Sequence, residues 1–253
     1  MKKSLAMLGL AGLLTAAPLV SADTILGIYA GAGVWKTDFS GEIGDTGLAS
    51  ADLEDLGLSD EQNSFYYVAL EHPVPVIPNI RLQINDINLS ESSTITQSFV
   101  LDGTTYNVSD DVTSDFDLSH TDATLYYEIL DNWLTADLGL TIRQFDGSLH
   151  VSSSSSGSVT QTIDETIPMA YLKGQVELPF TGFYVTAIGN FISYDGNTLK
   201  ELQAGVGYLS DGWVLDLGFE VGLKSMKLEL DDVSDIDANI DLSGAYASFN
   251  LHF

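Results

Sequence analysis

The stretch WVLDLGFEVGLK, residues 213–224, decides the fold. Trp213, Leu215, Leu217, Phe219, Val221 and Leu223 alternate strictly with Val214, Asp216, Gly218, Glu220, Gly222 and Lys224. A period of two belongs to a strand whose successive side chains point to opposite faces, one of them apolar here. The other face carries the information. Glycine weakens a strand, and ionisable groups beside it describe a crowded polar interior better than a sheet face washed by water. An apolar face turned outward and a charged, glycine-rich face turned inward make the wall of a membrane β-barrel.

The same arithmetic recurs along the chain. Leu134, Ala136, Leu138, Leu140 and Ile142 alternate with Thr135, Asp137, Gly139, Thr141 and Arg143, and Leu202, Ala204, Val206 and Tyr208 alternate with Glu201, Gln203, Gly205 and Gly207. Ten stretches of this kind are legible: residues 24–36, 65–71, one opening at Ile80, 123–129, 133–145, 170–178, 183–194, 199–209, one after Ser210-Asp211-Gly212, and 236–253. The connections near Pro75, Asn132, Pro179 and Asp211 are short, whereas polar, acidic segments fall at the other strand ends. Outer-membrane barrels sort their connections this way, with short periplasmic turns and longer external loops. The expected fold is all-β, a closed antiparallel up-and-down transmembrane β-barrel of about ten strands, or eight if the shorter hairpins are overcounted.

Three places break the alternation. Ile87 and Leu89 fall out of phase with Ile80, Leu82 and Ile84; Met226, Leu228 and Leu230 fall out of phase with Leu217 to Leu223; and the last stretch shifts between Leu242 and Ala245. Bulges above the membrane band are expected there, with strand ends projecting beyond the lipid. FVLDGTTY, residues 99–106, reads as a small hairpin with Asp102-Gly103 at its tip, and the serine run at 152–157 reads as a mobile loop tip.

The first residues specify export. Lys2 and Lys3 precede an apolar stretch from Leu5 to Val20 that ends in Ser21-Ala22, the pattern of a cleaved signal peptide spanning 1–22, followed by one barrel domain at 23–253. Beyond residue 22 the chain keeps all 36 acidic residues and only seven Lys and Arg, which excludes nucleic acid as a partner. No later apolar run approaches the roughly 20 residues of a membrane helix, so entry into a bilayer must be by strands. There is no cysteine, and hence neither disulfide nor thiol chemistry.

The polar faces collect Glu71, Arg81, Glu128, Asp137, Arg143, Lys173, Glu177, Glu201, Asp216, Glu220 and Lys224. Four of the seven cations beyond residue 22 are in this set, although they would be equally soluble anywhere outside. That is the composition of a lumen in which carboxylates are paired, because unpaired buried charge destabilises a fold. Trp133, Trp213, Tyr29, Tyr66, Tyr127 and Tyr208 read as an interfacial girdle.

The closing segment LDLSGAYASFNLHF places Phe249, Leu251 and Phe253 on one face with phenylalanine last. Here the chain resembles the outer-membrane β-barrel proteins of Gram-negative envelopes, whose final strand ends in an aromatic residue that the barrel-assembly machinery reads. More narrowly, DTILGIYAGAGVW, DLEDLGLSDE and LDDVSDIDANIDLSGAYASFNLHF look like a family of small outer-membrane barrels of uncharacterised function. The resemblance implies residence in the cell outer membrane among lipid and lipopolysaccharide, with the assembly machinery as a partner.

Catalytic motifs are scarce. His150 with the serines at 152–156 and a loop aspartate can be drawn as a nucleophilic set, but no nucleophile elbow supports it. The paired acidic and His-Asp motifs of the barrel proteases cannot be placed on this chain. The runs Asp110, Asp111, Asp115, Asp117 and Asp231, Asp232, Asp235, Asp237 do not match a calcium loop; they read as solvated loops that share divalent ions diffusely. The expectation is a non-enzymatic barrel with a charge-paired lumen and acidic external loops, having a structural or surface-interaction role, with no metal site and no cofactor. The alternatives are a narrow, cation-leaning channel and, behind it, a surface hydrolase.

Overall fold

The computed structural model describes residues 26–253 other than 211, 213, 214 and 234. The expected signal peptide therefore lies outside the described residues, as does Trp213. In chain order the strands are β1 (Gly27–Asp45), β2 (Ala51–Asp52), β3 (Asp60–Glu71), β4 (Asn79–Asp86), β5 (Asn88–Thr94), β6 (Phe99–Leu101), β7 (Thr104–Tyr106), β8 (Asp111–Asp117) and β9 (His120–Leu130). They continue as β10 (Leu134–Phe145), β11 (Gly147–Ser153), β12 (Gly157–Ile163), β13 (Thr166–Glu177), β14 (Phe183–Tyr194), β15 (Asn197–Ser210), β16 (Asp216–Val233) and β17 (Ile236–His252).

Ten of these close into an antiparallel barrel in the order β17-β16-β15-β14-β13-β10-β9-β4-β3-β1, with β17 pairing back onto β1. The closing seam is long, running from Tyr29 opposite His252 to Asp45 opposite Ile236. The face assignment is plain: Leu138, Val206 and Leu217 are 53%, 50% and 44% exposed on the outside, while Arg143 and Glu220 are 0% and 7% exposed within. Ile80, Leu82, Leu125, Leu172, Val185 and Phe219 extend the exposed apolar belt around the wall. So much contiguous apolar surface is stable only against lipid.

The strands greatly outrun the belt. A membrane strand needs about 9–11 residues, whereas β1, β16 and β17 have 19, 18 and 17. Past the belt the alternation keeps its register and reverses its chemistry. On β16, Leu217 to Leu223 face out and Glu220 and Lys224 face in; farther along, Met226 and Leu228 occupy the same inward parity, 1% and 8% exposed. On β1 the inward series passes to Trp35, Phe39 and Ile43, opposite the outward Lys36, Asp38 and Ser40.

This corrects the expectation of bulges. β15 and β16 pair without interruption from Thr198 opposite Glu229 to Ser210 opposite Leu217, and β1 and β17 keep one register on both sides of a two-residue gap in their pairing at Lys36 and Thr37. Ile87 and Leu89 share the inward parity of Gln83 and Asn85 and are buried. Register irregularities occur elsewhere, at Ala136/Asp137 and near the β16 tip at Leu230/Val233.

The inverted ends are inverted because a second core fills them. β12, β11, β8 and β5 form a separate four-stranded sheet, and β6 and β7 a hairpin with Asp102 and Gly103 both at positive φ, as an Asp-Gly hairpin turn requires. Their inward faces bring Leu89, Phe99, Leu101, Tyr106, Phe116, Leu149 and Val151 onto Trp35, Phe39, Met226, Ile240 and Leu242 of the barrel ends. Leu53, Leu56 and Leu58 of the β2–β3 connection are fully buried there as well. The long segments thus form a folded cap over one end of the barrel. The serine run is correspondingly a hairpin turn rather than a mobile tip: Ser155 and Ser156 each donate to Asp110 at 2.5 Å.

Candidate functional site

The lumen divides into two levels. The upper level lies under the cap and is ionic. Arg143 of β10 donates through Nε and Nη2 to both oxygens of Asp122 at 2.8 and 2.7 Å, and through Nη2 to Glu201 of β15 at 2.9 Å. Lys224 of β16 lies 3.6 Å from the other Glu201 oxygen and donates to Asn85 Oδ1 at 3.0 Å. Its ammonium also sits 4.9 Å from the centre of the Trp35 ring, within range of a cation–π contact. The bidentate arrangement is the one in which guanidinium and carboxylate lose least on leaving water. This layer spans the lumen from β9 and β10 to β15 and β16 and is essentially closed to solvent, Arg143 being 0% and Lys224 1% exposed.

His120 belongs to this layer too. Its Nδ1 meets the Leu118 carbonyl at 2.8 Å, and since a carbonyl only accepts, Nδ1 carries the hydrogen. Nε2 then points its lone pair inward, 4.0 Å from Glu201 Oε2 and without a hydrogen-bond partner among the described residues.

The lower level opens toward the short turns. It is a cup of about 350 Å3 whose wall includes Glu71, Arg81, Glu128, Lys173, Glu177 and Glu220. Tyr126 donates to Glu71 at 2.6 Å, Asn79 to Glu128 at 3.3 Å, and Tyr184 and Tyr246 to the two oxygens of Glu220 at 2.8 and 2.5 Å. Lys173 faces Asp137 across the β10–β13 ladder at 3.5 Å. Arg81 stacks 3.7 Å above the centre of the Tyr67 ring and donates to Gln83.

Of the residues expected in one charge network, Arg143, Glu201 and Lys224 meet in the upper layer and Asp137 meets Lys173 below. Glu71, Glu128, Arg81 and Glu220 line the cup but have no ion-pair partner among the described residues. Glu177 is exposed at the mouth, and Asp216 lies near it, 3.3 Å from His252. Sequence reasoning missed Asp122, although the parity of His120, Asp122, Thr124 and Tyr126 would have found it had the strand been started three residues earlier. It also missed the inward tyrosines, whose partners are carboxylates on strands distant in sequence. Tyr29 is no girdle residue: it stacks on His252 at 4.2 Å and borders the cup.

His150 lies on β11 of the cap, where its Nδ1 pairs with Thr160 Oγ1 at 2.8 Å. Of the serines at 152–156, Ser155 and Ser156 are engaged with Asp110 and Ser152 donates to the Thr113 carbonyl. Among the described residues no group of three or more His, Asp and Glu is placed to hold a metal ion. Loop carboxylates instead bind backbone: Asp45 accepts from the Asp102 and Gly103 amides at 2.7 and 2.9 Å, fastening the hairpin tip to the end of β1.

No family model and no curated protein matches the chain. Similar solved structures include the outer membrane protease OmpT from Escherichia coli, at 11% identity over 90% of this chain and 96% of that one, with a TM-score of 0.45. The CymD monoaromatic hydrocarbon channel is 8% identical over 89% and 88%, with a TM-score of 0.34. The TodX monoaromatic hydrocarbon channel deltaS2 mutant is 10% identical over 93% and 92%, with a TM-score of 0.27. At such scores the likeness carries no argument about activity, and a protease stands beside two channels. The fold rests on the strand pairing and the exposed apolar belt.

Proposed function

We propose that the protein is a non-enzymatic, non-conducting barrel of the outer membrane that holds a rigid acidic cap outside the cell. One observation carries the reading: the lumen is interrupted by the Arg143–Asp122–Glu201–Lys224 layer, and the apolar core of the cap lies directly above it. A passive path for ions or solutes needs a wet route past both. Small barrels are commonly filled by their own side chains in this way. Short turns facing the periplasm then put the cap outside. Phe249, Leu251 and Phe253 remain the proposed signal for the barrel-assembly machinery.

The cap suits surface interaction because it is built rather than loose. Tyr106 donates to the Val151 carbonyl at 2.9 Å inside its core, so that separate loops are tied to one another. Lys36, Lys200 and Lys227, the Lys and Arg among the described residues that are not in the lumen, occupy outward positions past the apolar belt, and Lys200 lies directly opposite Lys227 across the β15–β16 ladder. Lys227 pairs with Glu229 at 2.7 Å and Lys36 with Asp60 at 3.3 Å, and lipid phosphates of the surrounding leaflet would offer Lys200 a partner as well. Planar-bilayer recording of the folded protein tests the reading. A baseline without unitary steps is expected; discrete openings in the unmodified protein would replace it with the channel.

A further inference from the structure

The cup beneath the ionic layer is blind at its upper end and open at the short-turn end, and its charge does not balance. Its lining carboxylates, together with Asp137 beside them, number seven against two cations, Arg81 and Lys173. Glu71, Glu128 and Glu220 receive only neutral hydroxyl and amide donors. Asp137 is 3% exposed, lies in register between Glu128 and Lys173, and is ion-paired with Lys173 at 3.5 Å, yet neither of its oxygens has a geometrically good hydrogen bond among the described residues. A carboxylate buried with unfilled acceptor sites is an uncommon and costly arrangement.

Position adds to charge. Glu220 sits on β16, five strands around the ring from β9, which carries Glu128 and the tyrosine bound to Glu71, so two anionic walls face each other across the cup. The rings of Tyr67, Tyr126, Tyr171 and Tyr184 line the cup beside these carboxylates. A divalent metal needs several oxygens converging on one point, which the described residues do not supply. Separated carboxylates with aromatic faces between them suit an extended organic cation, whose ammonium groups hydrogen-bond the acids while its methylenes lie on the rings. The volume of about 350 Å3 is that of a small-ligand site.

We infer that the cup binds a linear diamine or polyamine entering from the short-turn side. The ammonium nearest β10 approaches Glu128 beside the Asp137–Lys173 pair, and the far one approaches Glu220. The inference concerns the cup alone and is independent of what the cap does.

Isothermal titration of the full chain, folded in detergent, with putrescine and spermidine tests it, using Mg2+ at matched ionic strength as the comparison. Saturable one-to-one binding is expected, weakened at least tenfold by E128Q and by E220Q and unchanged by D231N at the cap end of β16. Equal affinity in all variants, equal affinity for Mg2+, or no binding at all would overturn it. Heat-dependent gel mobility checks that each variant is folded. Should E128Q or E220Q fail that check, the unmodified protein decides by competition: putrescine must displace spermidine while Mg2+ does not.

Discussion

On either side of Trp35, β1 obeys one alternation with two opposite meanings. Toward the short turns Ile28 and Val34 face out and Tyr29 and Gly31 face in; toward the cap Lys36, Asp38 and Ser40 face out and Phe39 and Ile43 face in. The backbone is the same ladder throughout. What changes is the medium outside, lipid below and water above, and the contents inside follow it. A lipid-clad wall can enclose ions because its oily side is already satisfied; a water-clad wall must hide its oily side within. The ionic layer of Arg143 and Lys224 marks the boundary.

The contrast can be broken most severely at that boundary. R143A leaves Asp122 and Glu201 buried without their shared partner, and removing one member of such a set costs about 3–5 kcal/mol. Urea unfolding of the lipid-embedded protein should show this loss, and adding D122N to R143A should restore much of it, because Glu201 then keeps Lys224 as its partner. If the double variant is no more stable than R143A, charge is not what the layer manages.

Next in size is the cap core. L53A removes a fully buried side chain and should cost about 2–5 kcal/mol. Proteolysis should detect the loss in the connections above the barrel while heat-dependent mobility of the barrel persists, because the belt does not touch Leu53. A third pair separates the two media directly. V221R on the belt should cost about 2–4 kcal/mol if that site lies near the bilayer midplane, and S243R, outward on the neighbouring strand past the belt, should stay within about 0.5 kcal/mol. Equal costs would show that lipid does not end between them.

The smallest effect is one of pH. The hydroxyls of Ser155 and Ser156, and then the Asn107 amide, hold the Asp110 carboxyl below the usual aspartate range. A folded-state value lowered in this way contributes stability above the ordinary value of about 4 and loses it as pH falls through the lowered one. Hydrogen exchange at the 153–156 turn should therefore accelerate in acid beyond that window, with the β15–β16 ladder unaffected. Unchanged protection there would separate the turn from Asp110.

Much of this was legible in the residues. Each belt strand states its two faces within a few positions, so ten strands, their order of connection and the inward cations could be read without contacts. The cap could not. Its inward face is apolar and its outward face polar, so where Leu223 gives way to Met226 the pattern looks like a slipped register although none slips. Asp122 was lost because the strand was started at Ala123, one position inside the ion pair. Composition reports charge and not acceptors, so it did not announce that the exposed Asp45 and Asp110 accept from backbone amides and serines. The cup depends on pairs such as Tyr126 with Glu71 and Tyr246 with Glu220, which no local spacing announces.

The seam between β1 and β17 sets the order of manufacture. The first barrel strand to leave the ribosome has the last as one of its two neighbours, so no ring exists until the final residues have been delivered. Until then β1 offers one side of its 19 residues to any strand that will have it. Closure of the ring is therefore the last event in building the wall, and until Phe253 arrives that edge is open to pairing with another chain.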